Sequence, residues 1–298
     1  MVKNNLITFY KQHFNLQNAT FSRIDHEDAM VAIVYKVTQP TGLQLILKIC
    51  TRAKDYWREL YFLKHFADTL PVPRILEVMQ PEANIHGAIL MHFFPGHLLT
   101  AADFTDSMAY EIGSLLAHIH QSRVPCYGDL IQPQDLYPDP HTYFTLKFEE
   151  GFAECSDNLP KTLLKQCRHY YDTHIHLLSA ADGPCMVHRD FRPGNIMVHD
   201  GKLQGIIDWA SGRASFAQED FCPMEHGEWP TNLHNKKSFL AGYASVRAVP
   251  DYSSMMPLLR LSRAFATIGF MLKSGTWDNS HARVYQFNRL FLETLFSV

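Results

Sequence analysis

The sequence predicts an α+β chain in two lobes, a small one built on antiparallel sheet over residues 1–92 and a larger, mainly helical one over 93–298. Three observations carry this. Residues 31–37 and 43–49 are β-rich stretches separated by Gln39-Pro40-Thr41-Gly42, a hairpin signature. Beyond Pro95-Gly96 the apolar residues recur mostly at helical spacing. Inside that helical part, "VHRDFRPGNIMV" at 187–198 holds a polar loop with a Pro-Gly break between two short apolar runs suited to buried strands. A chain of 298 residues is long enough for this division.

In chain order, the hairpin comes first, with Lys48 inside its second strand among "LILKIC". After Thr51 the period changes: Tyr56, Leu60, Leu63 and Ala67 recur as on one helix face, and Glu59 lies on this helix. Pro71 and Pro73 end it, and a strand follows in "LPVPRILEV". "GAILMHFFPGHLL" is an apolar strand running into Pro95-Gly96, which breaks the pattern and marks the lobe boundary. Met108, Ile112, Leu115, Leu116 and Ile119 then mark one helix, and residues from Leu163 to Leu178 a longer one stopped by Asp182-Gly183-Pro184. Between them, roughly 122–160 is rich in proline and aromatics without a clear period. After the polar loop, Asp200-Gly201 reads as a hairpin turn, 203–207 as a strand, and Asp208 stands at its end. Residues 258–271 and 284–295 are amphipathic helices.

Composition excludes several classes. The net charge of −3 argues against a non-specific nucleic-acid binder, and no run approaches the ~18 to 20 apolar residues of a membrane span. The six cysteines form no CxxC pair and no grouping with histidine, so neither a zinc site nor a disulfide framework is signalled. Reduced thiols and an N-terminus without a signal core point to the cytoplasm and to what it offers, including ATP.

The residue types gathered so far suit phosphoryl transfer, which needs oxygen ligands for a metal, a cation on the phosphates and a base beside the attacking hydroxyl. Asp190 can accept a hydroxyl proton, Asn195 and Asp208 can offer oxygens to Mg²⁺, and Lys48, held by Glu59, can sit on the non-transferring phosphates. Asp190 and Asn195 share one loop, and a tight hairpin returns Asp208 beside it.

With these residues the sequence resembles the protein-kinase-like fold, and within it the aminoglycoside phosphotransferase and choline kinase branch of small-molecule kinases. The resemblance rests on "HRDFRPGN", "IIDW", "ILK", "RELYFLKHFADTLPVPRIL" and "ILMHFFPG", in that family's order, over roughly 30–225. It implies Asp190 as catalytic base, Asn195 and Asp208 as Mg²⁺ ligands, and Lys48 with Glu59 as the ion pair that orients ATP. Met91 would border the adenine, with the backbone of His92 and Phe94 hydrogen-bonding it, and Arg192 would sit on the γ-phosphate. Two departures stand out: the turn between the first two strands, "RIDHEDAMVAIVY", has no glycine, and Trp209 follows the metal-binding Asp in place of Phe-Gly. The first leaves room for a nucleotide-binding pseudokinase or scaffold as the alternative. The second argues against a protein kinase with an activation-loop switch.

His188 reads as a brace for the loop, Asp220 as a hydrogen-bonding support for it, and the pairs His118/His120 and His174/His176 as ordinary helix residues, because i, i+2 positions point to different sides. The partner is expected to be a small hydroxylated molecule, with no nucleic acid and no membrane, acted on by a monomer or weak dimer. Its charge stays open. Glu149, Glu150, Glu154, Asp157, Glu219, Glu225 and Glu228 are available to a polycationic antibiotic, while Arg247, Arg260, Arg263, Arg283 and Arg289 make the terminal helices suit a neutral or anionic acceptor.

Overall fold

The computed structural model describes residues 3–25 and 32–296. Helix α1 (Lys3–His13) precedes β1 (Thr20–Ile24), and the expected hairpin follows as β2 (Ala32–Thr38) and β3 (Gln44–Cys50). Val31 and most of the glycine-free turn before it lie outside the described residues. Then come α2 (Ala53–Phe66), β4 (Ile75–Met79) and β5 (Gly87–His92), completing an antiparallel sheet in the order β1-β2-β3-β5-β4.

Strand alternation decides what this sheet presents to each side. On β3, Leu45, Leu47 and Ile49 join a core with Tyr10 of α1 and Phe14 just after it, whereas Ile46 and Cys50 pack on the opposite face, with residues of α2. Lys48 falls on that second face, toward α2, by the same alternation. Helix α2 follows its apolar period and buries Tyr56, Glu59, Leu60, Phe62, Leu63 and Phe66. Helix α1, which seals the other face, carried too weak an apolar stripe to be read from the sequence.

The helical part begins after β6 (His97–Leu98) with α3 (Asp106–Gln121), capped by Thr105, whose side chain accepts from Met108 N. The two-residue strands β7 (Tyr127–Gly128) and β8 (Leu136–Tyr137) lead to α4 (Pro140–Cys155) and α5 (Lys161–His174). Helix α4 lies in the stretch where no period was legible. Its start was signalled all the same: Asp139 caps it, accepting from Thr142 N at 2.8 Å, and Pro140 fills the first turn. Helix α5 ends at His174, and a 3₁₀ stretch (Ile175–Ala180) carries the chain on to buried Leu178.

Strand β9 (Cys185–Val187), the polar loop, β10 (Ile196–His199), β11 (Lys202–Ile206) and β12 (Arg213–Ser215) follow, and then α6 (Gln218–Glu225), α7 (Leu233–Ala244), α8 (Met256–Ser274) and α9 (Ala282–Thr294). Two small antiparallel sheets, β11-β10-β6 and β8-β7-β12-β9, frame the loop. Helix α3 packs on α7 and α4 on α8, around a core that includes Phe148, Phe265 and Trp209. At the junction of sheet and helices, Gly96 takes φ +102°, and a Cβ there would fall 2.0 Å from Val198 O, so β10 and the linker touch backbone to backbone. No helix among the described residues is long and apolar enough to cross a membrane.

Candidate active site

The polar loop is held from several directions. Asp220, buried on α6, accepts from His188 N at 2.7 Å and from Arg189 N at 2.6 Å. Those two bonds secure Arg189 at φ 64°, a left-handed conformation that costs a non-glycine residue about 1 kcal/mol or more. His188 is wholly buried and bonds Ile207 O through Nε2 at 3.1 Å, and Trp229 Nε1 donates to Phe191 O at 2.9 Å. The brace and the support expected of His188 and Asp220 are both present as hydrogen bonds.

Asp190 lies at the surface of this loop. Asn195 donates through Nδ2 to Asp190 Oδ2 and to Asp190 O, both at 2.8 Å, an orientation that leaves its Oδ1 for a cation. Arg192 Nε sits 3.2 and 3.1 Å from the two carboxylate oxygens of Asp190. Pairing of β10 with β11 brings Asp208 to the same place, since Ile207 N donates to Asn195 O at 2.9 Å. Asp208 has φ 64°, the second strained non-glycine backbone in the site.

Lys48 joins this loop to the N-terminal sheet. Its Nζ lies 2.9 Å from Glu59 Oε2 and 2.8 Å from Asp208 Oδ1. Lys48 and Glu59 are buried, whereas the Asp208 side chain keeps 47% of its surface exposed. Burial opposes the Lys48 charge, but Asp208 and Glu59 outweigh it and hold the ammonium above the ordinary lysine range. Burial likewise pushes Asp208 upward and Lys48 more than reverses it, keeping the carboxylate ionised. In Glu59 burial wins, raising it above the usual carboxylate value despite Lys48. Trp209, next to Asp208, is buried between Phe62 and Phe66 of α2, with ring centroids at 5.5 and 4.9 Å, so the aspartate is anchored to the helix that carries Glu59.

The donor set suits Mg²⁺. Among the described residues no cluster of three or more His, Cys, Asp or Glu could hold a metal alone, and a cation at Asn195 and Asp208 would draw its other ligands from phosphates and water, as Mg²⁺ does. Met91, at the end of β5, is buried between Ile46 and Ile75. His92 N donates to Arg74 O at 2.9 Å, so that amide is already engaged. Phe94 covers Gly205, where a Cβ would stand 2.7 Å from its ring.

Two features escaped sequence reasoning. His120 is no ordinary helix residue: wholly buried, it lies 3.1 Å from Asp220 Oδ2 and 2.8 Å from the Tyr243 hydroxyl, while His118 on the other side is exposed. Burial lowers the His120 and His188 pKa values; Asp220, pushed up by its own burial, ends below the ordinary carboxylate range because of its hydrogen bonds and the imidazole beside it. Arg263 of α8 grips Glu228 at 2.6 and 2.8 Å and reaches to 3.6 Å from Asp190 Oδ1. The signal for it was Arg260 and Arg263 spaced three apart in an otherwise apolar helix. The six cysteines are all free.

Solved structures share this architecture at low identity. A thermostable mutant of aminoglycoside phosphotransferase APH(4)-Ia, solved as a ternary complex with AMP-PNP and hygromycin B, superposes with a TM-score of 0.73 at 14% identity, covering 98% of this chain and 99% of the other. ADP-bound aminoglycoside phosphotransferase APH(2'')-Ib gives 0.67 at 12% identity with 99% of both chains covered, and a putative aminoglycoside phosphotransferase from Ralstonia eutropha JMP134 gives 0.66 at 14%, covering 99% and 98%. These show the fold. Comparison with curated protein sequences finds no match. The model of the phosphotransferase enzyme family, however, matches residues 31–258, a span that runs from the first hairpin through Lys48, the polar loop and Asp208 into α8. With most of its length inside that match, Lys48, Glu59, the polar loop and Asp208 included, the chain belongs to the phosphotransferase enzyme family.

Proposed function

We propose that this phosphotransferase moves the γ-phosphoryl group of ATP to a hydroxyl of a small molecule such as an aminoglycoside-like antibiotic, an amino alcohol or a sugar. The observation that carries the reading is Lys48 Nζ bridging Glu59 and Asp208 beside the Asp190–Asn195 pair. In this reading Lys48 fixes the non-transferring phosphates, and Met91 with the backbone of His92 and Phe94 borders the base. Asn195 and Asp208 hold Mg²⁺, which when bound neutralises charge on the phosphates. Asp190 accepts the acceptor's hydroxyl proton and orients it for in-line attack, and Arg192 faces the transferring group. The nucleotide lies between an N-terminal lobe of 1–92 and a catalytic lobe of 93–298, in a cytoplasmic monomer or weak dimer. That two of the solved structures of this fold were captured with AMP-PNP or ADP supports the nucleotide assignment.

The test is ADP release with Mg-ATP across aminoglycosides, choline-type amines, sugars and amino alcohols, with Asp190→Asn alongside. A hit lost in the variant supports the reading, and one that survives intact removes Asp190 as base. Arg192→Ala with unchanged turnover would remove Arg192 from the site. The glycine-free turn favours a second reading, a nucleotide-binding pseudokinase or scaffold. It predicts thermal stabilisation by Mg-ATP and no turnover with any acceptor.

A further inference from the structure

The carboxylates that a polycationic acceptor would need are already committed. Glu149 pairs with Arg168, Glu150 with Lys147, Glu154 with Lys273 and Glu225 with Lys236, and Asp157 lies in the exposed turn after α4. Exposed pairs of this kind yield readily, so the decision falls to the two acids nearest the polar loop. Glu219 stands 3.5 Å from Arg189 Nε, and Glu228 takes a two-pronged grip from Arg263 at 2.6 and 2.8 Å. The Arg263–Glu228 pair is a fork of parallel N–H···O bonds, the arrangement a competing amine displaces least easily.

What surrounds the Asp190 carboxylate is cationic. Arg192 Nε lies 3.1 Å from it and Arg263 Nη2 3.6 Å. Arg263 comes from α8 and its partner Glu228 from the segment after α6, elements that contribute nothing to the Lys48–Glu59–Asp208 group. Its Nη1 also donates to Arg189 O at 3.4 Å, and the side chain retains 22% exposure, so Arg263 spans Glu228, the polar loop backbone and the approach to Asp190. An ammonium group brought there meets two guanidinium ions before it meets an uncommitted carboxylate. A carboxylate or phosphate meets donors already fixed in place, and on binding would share Arg263 with Glu228.

We infer that the acceptor is a hydroxylated anion, a sugar- or polyol-type molecule bearing a carboxylate or phosphate group, and that Arg263 is the residue that selects it. This rests on the phosphotransferase reading for the identity of Asp190 as the base, and it narrows the acceptor to one charge class.

Thermal shift with gluconate, glycerate, glycerol phosphate, choline and kanamycin, each run with and without saturating Mg-AMP-PNP, separates the two claims. The expected result is stabilisation by at least one of the three anionic probes on top of the AMP-PNP shift, none by choline or kanamycin, and ADP release only with anionic probes; gluconate against glycerol phosphate tells carboxylate from phosphate. Arg263→Gln should weaken the anionic probe roughly ten- to hundredfold while leaving the AMP-PNP shift in place, the usual loss for a hydrogen bond to a charged group. Glu228→Gln, which frees Arg263, should instead tighten it, a change of sign that a structural role for the pair would not produce. The AMP-PNP shift shows that each variant is folded, and Arg263→Lys, which keeps the charge without the fork, should fall between. Kanamycin binding more tightly than every anion, no anion binding at all, or an anion that binds Arg263→Gln unchanged would overturn the inference. Absence of an AMP-PNP shift would instead sink the nucleotide reading, with the anion titrations still deciding the role of Arg263.

Discussion

Two ion clusters meet at the polar loop, and they differ in depth. Lys48 and Glu59 retain 7% and 2% exposure, whereas Asp190, Arg192, Arg263 and Glu228 each keep 20 to 26% of their side-chain surface. Desolvation makes the Lys48–Glu59 pair stiff, because either residue left alone is a buried charge. The second is wet enough for its partners to exchange. Under the proposed function, the contrast would make the nucleotide side fixed and the acceptor side adjustable.

The largest expected effect tests the buried side. Lys48→Met leaves Glu59 buried without its counter-ion and should lower unfolding stability by about 3 kcal/mol, as well as abolishing turnover. Urea denaturation measures it, and an unchanged midpoint would erase the contrast between the clusters. Next comes Asp190→Asn, expected to cut turnover at least ~10²-fold, with a melting temperature close to that of the parent. A matching loss of stability would show that the exposed cluster is structural as well.

Asp220→Asn sharpens the comparison from below the loop. The amide must turn an N–H toward one of the two backbone donors that Asp220 now satisfies, which should cost roughly 2 kcal/mol and lower turnover without altering nucleotide affinity. A pure affinity change would place Asp220 in the wrong role. The smallest effect is in pH. His120 and His188 are buried and their pKa values lowered, so the unfolded chain binds more protons than the folded one below the ordinary histidine value of about 6.5. Stability should therefore hold above that value and fall as pH drops through it, by roughly 1 kcal/mol per histidine between pH 7.5 and 5.5. A flat profile of unfolding free energy would mean that neither histidine is kept neutral.

The local rules were legible where periodicity and turn chemistry act alone. Gln39-Pro40-Thr41-Gly42 marks the β2–β3 hairpin, Asp200-Gly201 marks β10–β11, and the α2 stripe places Glu59 on the face that buries. Helix α4 is announced only by Asp139-Pro140, because its buried residues Tyr143, Phe144, Phe148, Gly151 and Cys155 end in a glycine and a cysteine and lie in an aromatic-rich stretch, which blurs the apolar stripe.

By itself the sequence determined the β2–β3 and β10–β11 hairpins and helix α2 with Glu59 on its length, since each follows from spacing within a few tens of residues. Only the tertiary structure decided that Asp208 completes the Lys48 cluster across 160 positions, that His120 stands beneath the loop through Asp220 100 positions away, and that Arg263 reaches Asp190 from α8. Helix packing brings these groups together, and packing depends on volumes and faces from the whole chain. No local pattern records where distant charges will meet.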